Sequence, residues 1–129
     1  MGATRDVALS EQSWRGISIN DATSGSAAVT VVPSDSGVLF VNQYASATTY
    51  TLPTVALAKG KWFSFFNQGA AGMVITGAST DVMVGLNGAA YDTVTFSTSS
   101  YMIGACCDVF CDGTNYFVRV ICGTAVYSG

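Results

Sequence analysis

The chain contains no histidine, a single glutamate (Glu11), two prolines and five basic residues among 129 positions. Without histidine, nucleophilic triads of the Ser-His or Cys-His kind have no base within the chain. Beyond residue 20, a carboxylate pair for glycoside hydrolysis would have to come from Asp21, Asp35, Asp81, Asp92, Asp108 and Asp112. Of these, Asp112 precedes a glycine, Asp35 lies in the turn signature PSDSG, and Asp108 has an expected cationic partner, so structure accounts for each. No G-x-G-x-x-G or Walker pattern follows a strand. The expectation is a chain that is not an enzyme and takes no cofactor.

Charge is equally scarce. Arg5, Arg15, Lys59, Lys61 and Arg119 form no run, and the formal net charge is −3. Counterion release from nucleic acid would therefore be small, which argues against a nucleic-acid partner. Half of the residues are hydrophobic and the mean hydropathy is +0.42. A monomer of this mass exposes roughly 6,500 Å², more than so few charges can keep apart from its neighbours. Part of the apolar surface is expected to be covered in an oligomer.

Two long stretches, 36–58 and 62–80, carry no charge, yet Gly, Asn and Gln break both and Pro53 also breaks the first. That pattern argues against a membrane-spanning helix. The N-terminal segment MGATRDVALSEQSWRG has no apolar signal core, and Arg5-Asp6 does not fit a myristoylation site. The expected compartment is the cytosol, where thiols stay reduced.

From residue 26 onward the sequence consists of short β-branched and aromatic runs punctuated by Gly, Ser, Asn and Asp. Strands are expected over 27–32, 37–42, 48–52, 61–67, 72–76, 81–85, 91–96, 101–111 and 115–123. The only helical turn expected is 53–59, opened by Pro53 and stopped by Gly60. Such spacing predicts an all-β fold, an antiparallel β-sandwich or jelly-roll-like barrel over 26–129. Residues 1–25 are more charged and read as an extended N-terminal arm, with Arg5, Trp14 and Arg15 as its partner-binding residues. One echo is visible, Phe40-Val41-Asn42-Gln43 against Phe65-Phe66-Asn67-Gln68. With two copies it reads as similar strand-to-turn chemistry and not as a solenoid.

All four cysteines fall in CCDVFCDGTNYFVRVICG, residues 106–123. As a hairpin turning at Gly113-Thr114, this stretch places 111 opposite 116, 109 opposite 118, 108 opposite 119 and 105 opposite 122. Asp108 and Arg119 then form a cross-strand ion pair on the outer face. Cys107, Cys111 and Cys122 join the apolar face, and Cys106 points away. Adjacent Cys106 and Cys107 diverge, which disfavours a metal site. Cys107 and Cys122 sit diagonally, which disfavours a relaxed disulfide. Free cysteine packed as a small hydrophobe is the expectation.

Three segments together carry a resemblance. Leu52-Pro53 after Tyr50-Thr51, then Gly60, Phe63, Phe65, Asn67 and Gly69 in GKWFSFFNQG, then Asp112, Gly113, Asn115 and Tyr116 in DGTNY follow in order, with Ile75-Thr76-Gly77 between. This arrangement resembles a β module of tailed-bacteriophage virion proteins, found in capsid decoration (cement) proteins and in tail fibre or spike segments. The four cysteines and the N-terminal arm depart from it. The resemblance implies a structural protein on the capsid surface, assembled in the host cytoplasm as an oligomer, a trimer by analogy, with the major capsid protein as partner. The short chain favours decoration over a long multi-segment fibre. The alternative it implies is a tail fibre or tail tip module that binds a receptor or glycan.

Overall fold

The computed structural model of the chain describes residues 14–129. The expected role of Arg5 therefore lies outside the described residues. Three strands of the first half, β1 (Gly16–Asn20), β3 (Val38–Asn42) and β5 (Trp62–Asn67), run parallel and side by side in one sheet. The strands between them, β2 (Ala28–Thr30), β4 (Thr48–Thr51) and β6 (Met73–Thr76), run parallel in a second sheet. The chain thus winds through three coils, crossing from one sheet to the other within each. Parallel neighbours ordinarily need a long crossover; here the strand in the opposite sheet is the crossover, so the connections stay short.

This winding corrects the reading of the sequence echo. Asn42 stands beside Asn67 in the parallel register and Asn20 beside Asn42. The 25-residue offset is therefore one coil of a short solenoid-like stack. The Asn42 Nδ2 donates to Asn67 Oδ1 at 2.9 Å, and Asn20 Nδ2 donates to Asn42 Oδ1 at 2.9 Å. Asn67 Nδ2 ends the ladder on the Ala71 and Met102 carbonyls at 2.9 and 3.1 Å. Like side chains stack in a parallel register because each amide satisfies the next. One position further on, Gln43 Nε2 donates to Gln68 Oε1 at 2.8 Å.

The second half closes the two sheets. β7 (Met83–Gly85), β8 (Gly88–Tyr91), β9 (Thr93–Phe96), β10 (Cys106–Cys111), β11 (Tyr116–Cys122) and β12 (Val126–Ser128) complete the set. The larger sheet has the order β1-β3-β5-β10-β11-β7-β8 and the smaller β12-β9-β6-β4-β2. β10 is antiparallel to β5, and β9 antiparallel to β6. The all-β sandwich stands, while its sheets are mixed where wholly antiparallel ones were expected. Among the described residues no helix is long and apolar enough to cross a membrane.

Period-2 alternation explains the core. In β5, Phe63, Phe65 and Asn67 point between the sheets, while Trp62, Ser64 and Phe66 point outward. Phe65 stacks on Phe40 at 5.4 Å and meets the Tyr50 ring edge-on at 5.2 Å. Leu52, Met73, Ile75, Val94, Phe96 and Val109 fill the rest. Each such buried side chain contributes about 1.5–3 kcal/mol against exposure.

Two expected elements shrink. The 53–59 helix is a single 3-10 turn, Val55–Leu57. The strand expected from 101 begins only at Cys106, because Ser100 takes a left-handed φ of 72° and 101–104 form turns.

Candidate functional site: the outer face of the larger sheet

The same alternation that builds the core leaves a second apolar surface. On the outer side of the larger sheet lie Ile17 and Ile19 of β1, Leu39 and Val41 of β3, and Trp62 and Phe66 of β5, followed by Phe110 of β10 and Phe117 and Ile121 of β11. Ile17 is 65 % exposed, Ile19 57 % and Ile121 60 %. Five strands at about 4.8 Å spacing and about 17 Å in length give a footprint of about 350 Å². The largest apolar patch of a monomer is commonly about 300–600 Å² and often functional, and Trp62 within this one is itself buried.

One polar seam crosses it. Asp108 is buried, accepting a short hydrogen bond from Ser64 Oγ and one of 2.6 Å from Arg119 Nη2. The Arg119 guanidinium also lies over the Phe110 ring, 5.1 Å from its centroid. The ion pair expected between Asp108 and Arg119 is present, with Ser64 as a third member that the hairpin alone could not indicate. Burying the carboxylate is tolerable because both of its oxygens have partners.

Aromatics cluster at one end of the face. Trp14 meets Trp62 edge-on at 4.6 Å, and Trp62 stacks on Phe110 at 6.4 Å. Arg15 is held by its own chain: its N–H donates to the Gly37 carbonyl at 2.9 Å and its Nη1 to the Ser34 carbonyl at 2.8 Å. The described part of the expected arm, from Trp14, thus belongs to the sandwich, because β1 pairs with β3 over five residues. The missed signal was Ile17-Ser18-Ile19-Asn20, a period-2 run ending in the same Asn as β3 and β5.

The residues of the resemblance lie elsewhere. Leu52, Phe63, Phe65, Asn67 and Tyr116 are buried between the sheets. The Tyr116 hydroxyl donates to the Pro53 carbonyl, and the Gly60 N–H to the Cys111 carbonyl at 2.9 Å. At Gly69 a Cβ would stand 2.8 Å from the Tyr44 carbonyl oxygen, so the turn after β5 has no room for a side chain. Asp112 Oδ1 accepts the Thr114 and Asn115 N–H groups at 2.8 Å, and Gly113 turns the hairpin at φ +95°. These residues build the core and the turns at both ends of β5, and the outer face is a separate feature.

The cysteines follow the expected register only in part. Cys111 opposes Tyr116, Val109 opposes Val118 and Asp108 opposes Arg119, but a bulge between Cys106 and Cys107 sets Cys106 opposite Cys122. The expected pairing of Ala105 with Cys122 is thereby corrected. Cys107 and Cys111 are buried as expected, whereas Cys122 is exposed because the bulge carries it off the inner face. All four are free thiols. Burial pushes the Cys107 thiol far up and raises the Cys111 thiol, which accepts from the Gly113 N–H at 3.4 Å. Among the described residues, no three His, Cys, Asp or Glu side chains converge as metal ligands.

A cleft of about 480 Å³ opens at the seam of the two sheets, between the end of β11 and β12. Its lining is apolar, from Leu86, Val118, Val120, Ala125 and Tyr127, apart from Arg119 at the rim. β11 pairs with β7 only at Tyr116 and Phe117, so the sheet parts there. Comparison with protein-family models, with curated proteins and with solved structures returns no match for the chain.

Proposed function

We propose that the chain is a structural, non-enzymatic module that works in an assembly, decorating a bacteriophage capsid by binding the major capsid protein as an oligomer. The observation that carries this reading is the apolar outer face of the larger sheet, on a chain with only thirteen charged residues. A surface of this kind is stable in water when it is covered. The ordered segments from Leu52 to Tyr116 supply the virion context by resemblance. The apolar lining of the seam cleft, without an opposed pair of acids, supports a binding role over hydrolysis.

Many copies on a repeating lattice multiply a modest affinity per site. The face has two sets of contacts to offer, the β1 isoleucines and the Trp14–Trp62–Phe110 cluster. Tryptophan beside arginine is the pairing that binding hot spots favour, so Trp14→Ala is expected to lower occupancy on particles while the isolated protein stays folded. Quantitative mass spectrometry of purified virions tests the reading directly. A copy number close to that of the major capsid protein is expected, and absence of the chain from virions would refute it.

The coil winding favours a second reading. Stacked parallel coils, with β1 and β2 as edge strands among the described residues, suit a segment of an elongated tail fibre or tip that binds a receptor or glycan. A few copies per particle, together with binding on a glycan array, would select it.

A further inference from the structure

The bulge in the hairpin creates a thiol pair that an unbroken register would keep apart. Cys106 and Cys122 are direct cross-strand partners. Opposed residues of an antiparallel pair have Cα atoms about 4.5–5.5 Å apart, inside the range of about 4.4–6.8 Å that a relaxed disulfide spans. Cys122 is exposed and Cys106 partly exposed, so a small oxidant can reach them, while Cys107 and Cys111 are buried. The two groups also act on one another: beyond burial, the Cys122 thiol and the Asp108 carboxylate raise the Cys106 thiol, and the Cys122 N–H opposes them.

We propose that Cys106 and Cys122 form a reversible oxidation site, closing a cross-strand disulfide by exchange with a small disulfide of the glutathione class. The exposed Cys122 thiolate attacks one sulfur of glutathione disulfide and expels a glutathione thiolate. The Cys106 thiolate then attacks the Cys122 sulfur of the mixed disulfide and expels the second glutathione. Two S–H bonds are lost and one S–S bond forms between the strands. The oxidant is reduced to two glutathione thiols, which take up the two protons. The bridge ties β10 to β11 beside Gly123, where the chain leaves the larger sheet for β12. A chain that meets a reducing compartment and then an oxidising one would acquire this tie on the way. The inference stands independently of the virion role.

The test uses the full chain with glutathione disulfide as oxidant. Trypsin cuts after Lys61 and Arg119, so Cys122 falls on peptide 120–129 and the other three cysteines on peptide 62–119. The expected product has lost the mass of two hydrogens, releases these two peptides joined, and separates with dithiothreitol. Cys106→Ser and Cys122→Ser each abolish the joined pair, and Cys107→Ala retains it. Oxidation is expected to raise Tm by about 5–10 °C, since the bridge restricts the unfolded chain. A joined pair that persists in Cys106→Ser and disappears in Cys107→Ala would overturn the assignment. So would a product that stops at glutathione adducts or links separate copies.

Discussion

Tyr50 is fully buried between the coils, and its hydroxyl has no hydrogen-bond partner among the described residues. Burial pushes its pKa up to about 12. An unpaired buried hydroxyl costs free energy that a hydrogen atom would not. Tyr50→Phe is therefore expected to match or exceed the parent stability, by up to about 1–2 kcal/mol in urea unfolding. A loss of that size would contradict the orphaned hydroxyl. Asn42 is the opposite case, with its amide bonded on both sides by Asn20 and Asn67. Asn42→Leu leaves Asn67 Oδ1 without its donor and Asn20 Nδ2 with the Ser26 carbonyl alone, and is expected to cost about 2–4 kcal/mol in the same measurement. Neither role was legible from the residue itself. A buried asparagine and an orphaned tyrosine are defined by what stands beside them.

At the scale of elements, turns were the most legible. DGTN forms the hairpin turn as expected, because Asp112 can accept the next backbone N–H groups and Gly113 supplies a positive φ. The turn after β1 works by the same chemistry. Asp21 Oδ2 accepts the Ser24 and Thr23 N–H groups and both of their hydroxyls, and these hold its pKa at about 2. A carboxylate whose folded pKa is depressed contributes stability that is complete above its unfolded pKa, 3.8, and is lost as pH falls through about 2. Asp112 is lowered in the same direction by the Asn115 and Thr114 N–H groups. Asp21→Asn is accordingly expected to flatten the fall of Tm between about pH 4 and pH 2, and adding Asp112→Asn to flatten it further. An unchanged acid profile in the double variant would remove both turns from the account. Strand starts were less legible: Ser100, with its left-handed backbone, leads into turns over 101–104, where composition alone presents the start of a strand.

For the whole molecule, the apolar composition divides between two surfaces. The space between the sheets takes the aromatic core, and the outer face of the larger sheet takes part of the remainder, with Val32, Leu57, Leu86, Tyr101, Ile103 and Val126 exposed elsewhere. If that face is covered by other copies, the parent chain is expected to run as an oligomer in light scattering coupled to gel filtration. Ile17→Glu with Ile19→Glu should then return it to a monomer. Both side chains are more than half exposed, so its thermal unfolding should change little. A parent chain that is monomeric at all concentrations would defeat self-association through this face. The seam of Ser64, Asp108 and Arg119 at its centre gives the contact a polar register mark, because partners must align around an ion pair whose carboxylate is already buried.

Some of this protein could be read along one dimension. Alternating apolar positions and Gly, Ser, Asn and Asp punctuation specify an all-β chain, because side-chain direction in a strand depends only on the parity of the position. The Asp108–Arg119 pair and the 111–116 register followed from the hairpin for the same local reason. What parity does not specify is which strands become neighbours. The coils, the asparagine ladder, the mixed sheets and the outer apolar face all depend on β3 lying beside β1 and β5, contacts 22 to 25 residues apart along the chain. A bulge of one residue likewise decided which cysteines meet. Long-range pairing and local slippage are settled by packing two sheets against each other, and that competition has no counterpart in the linear pattern.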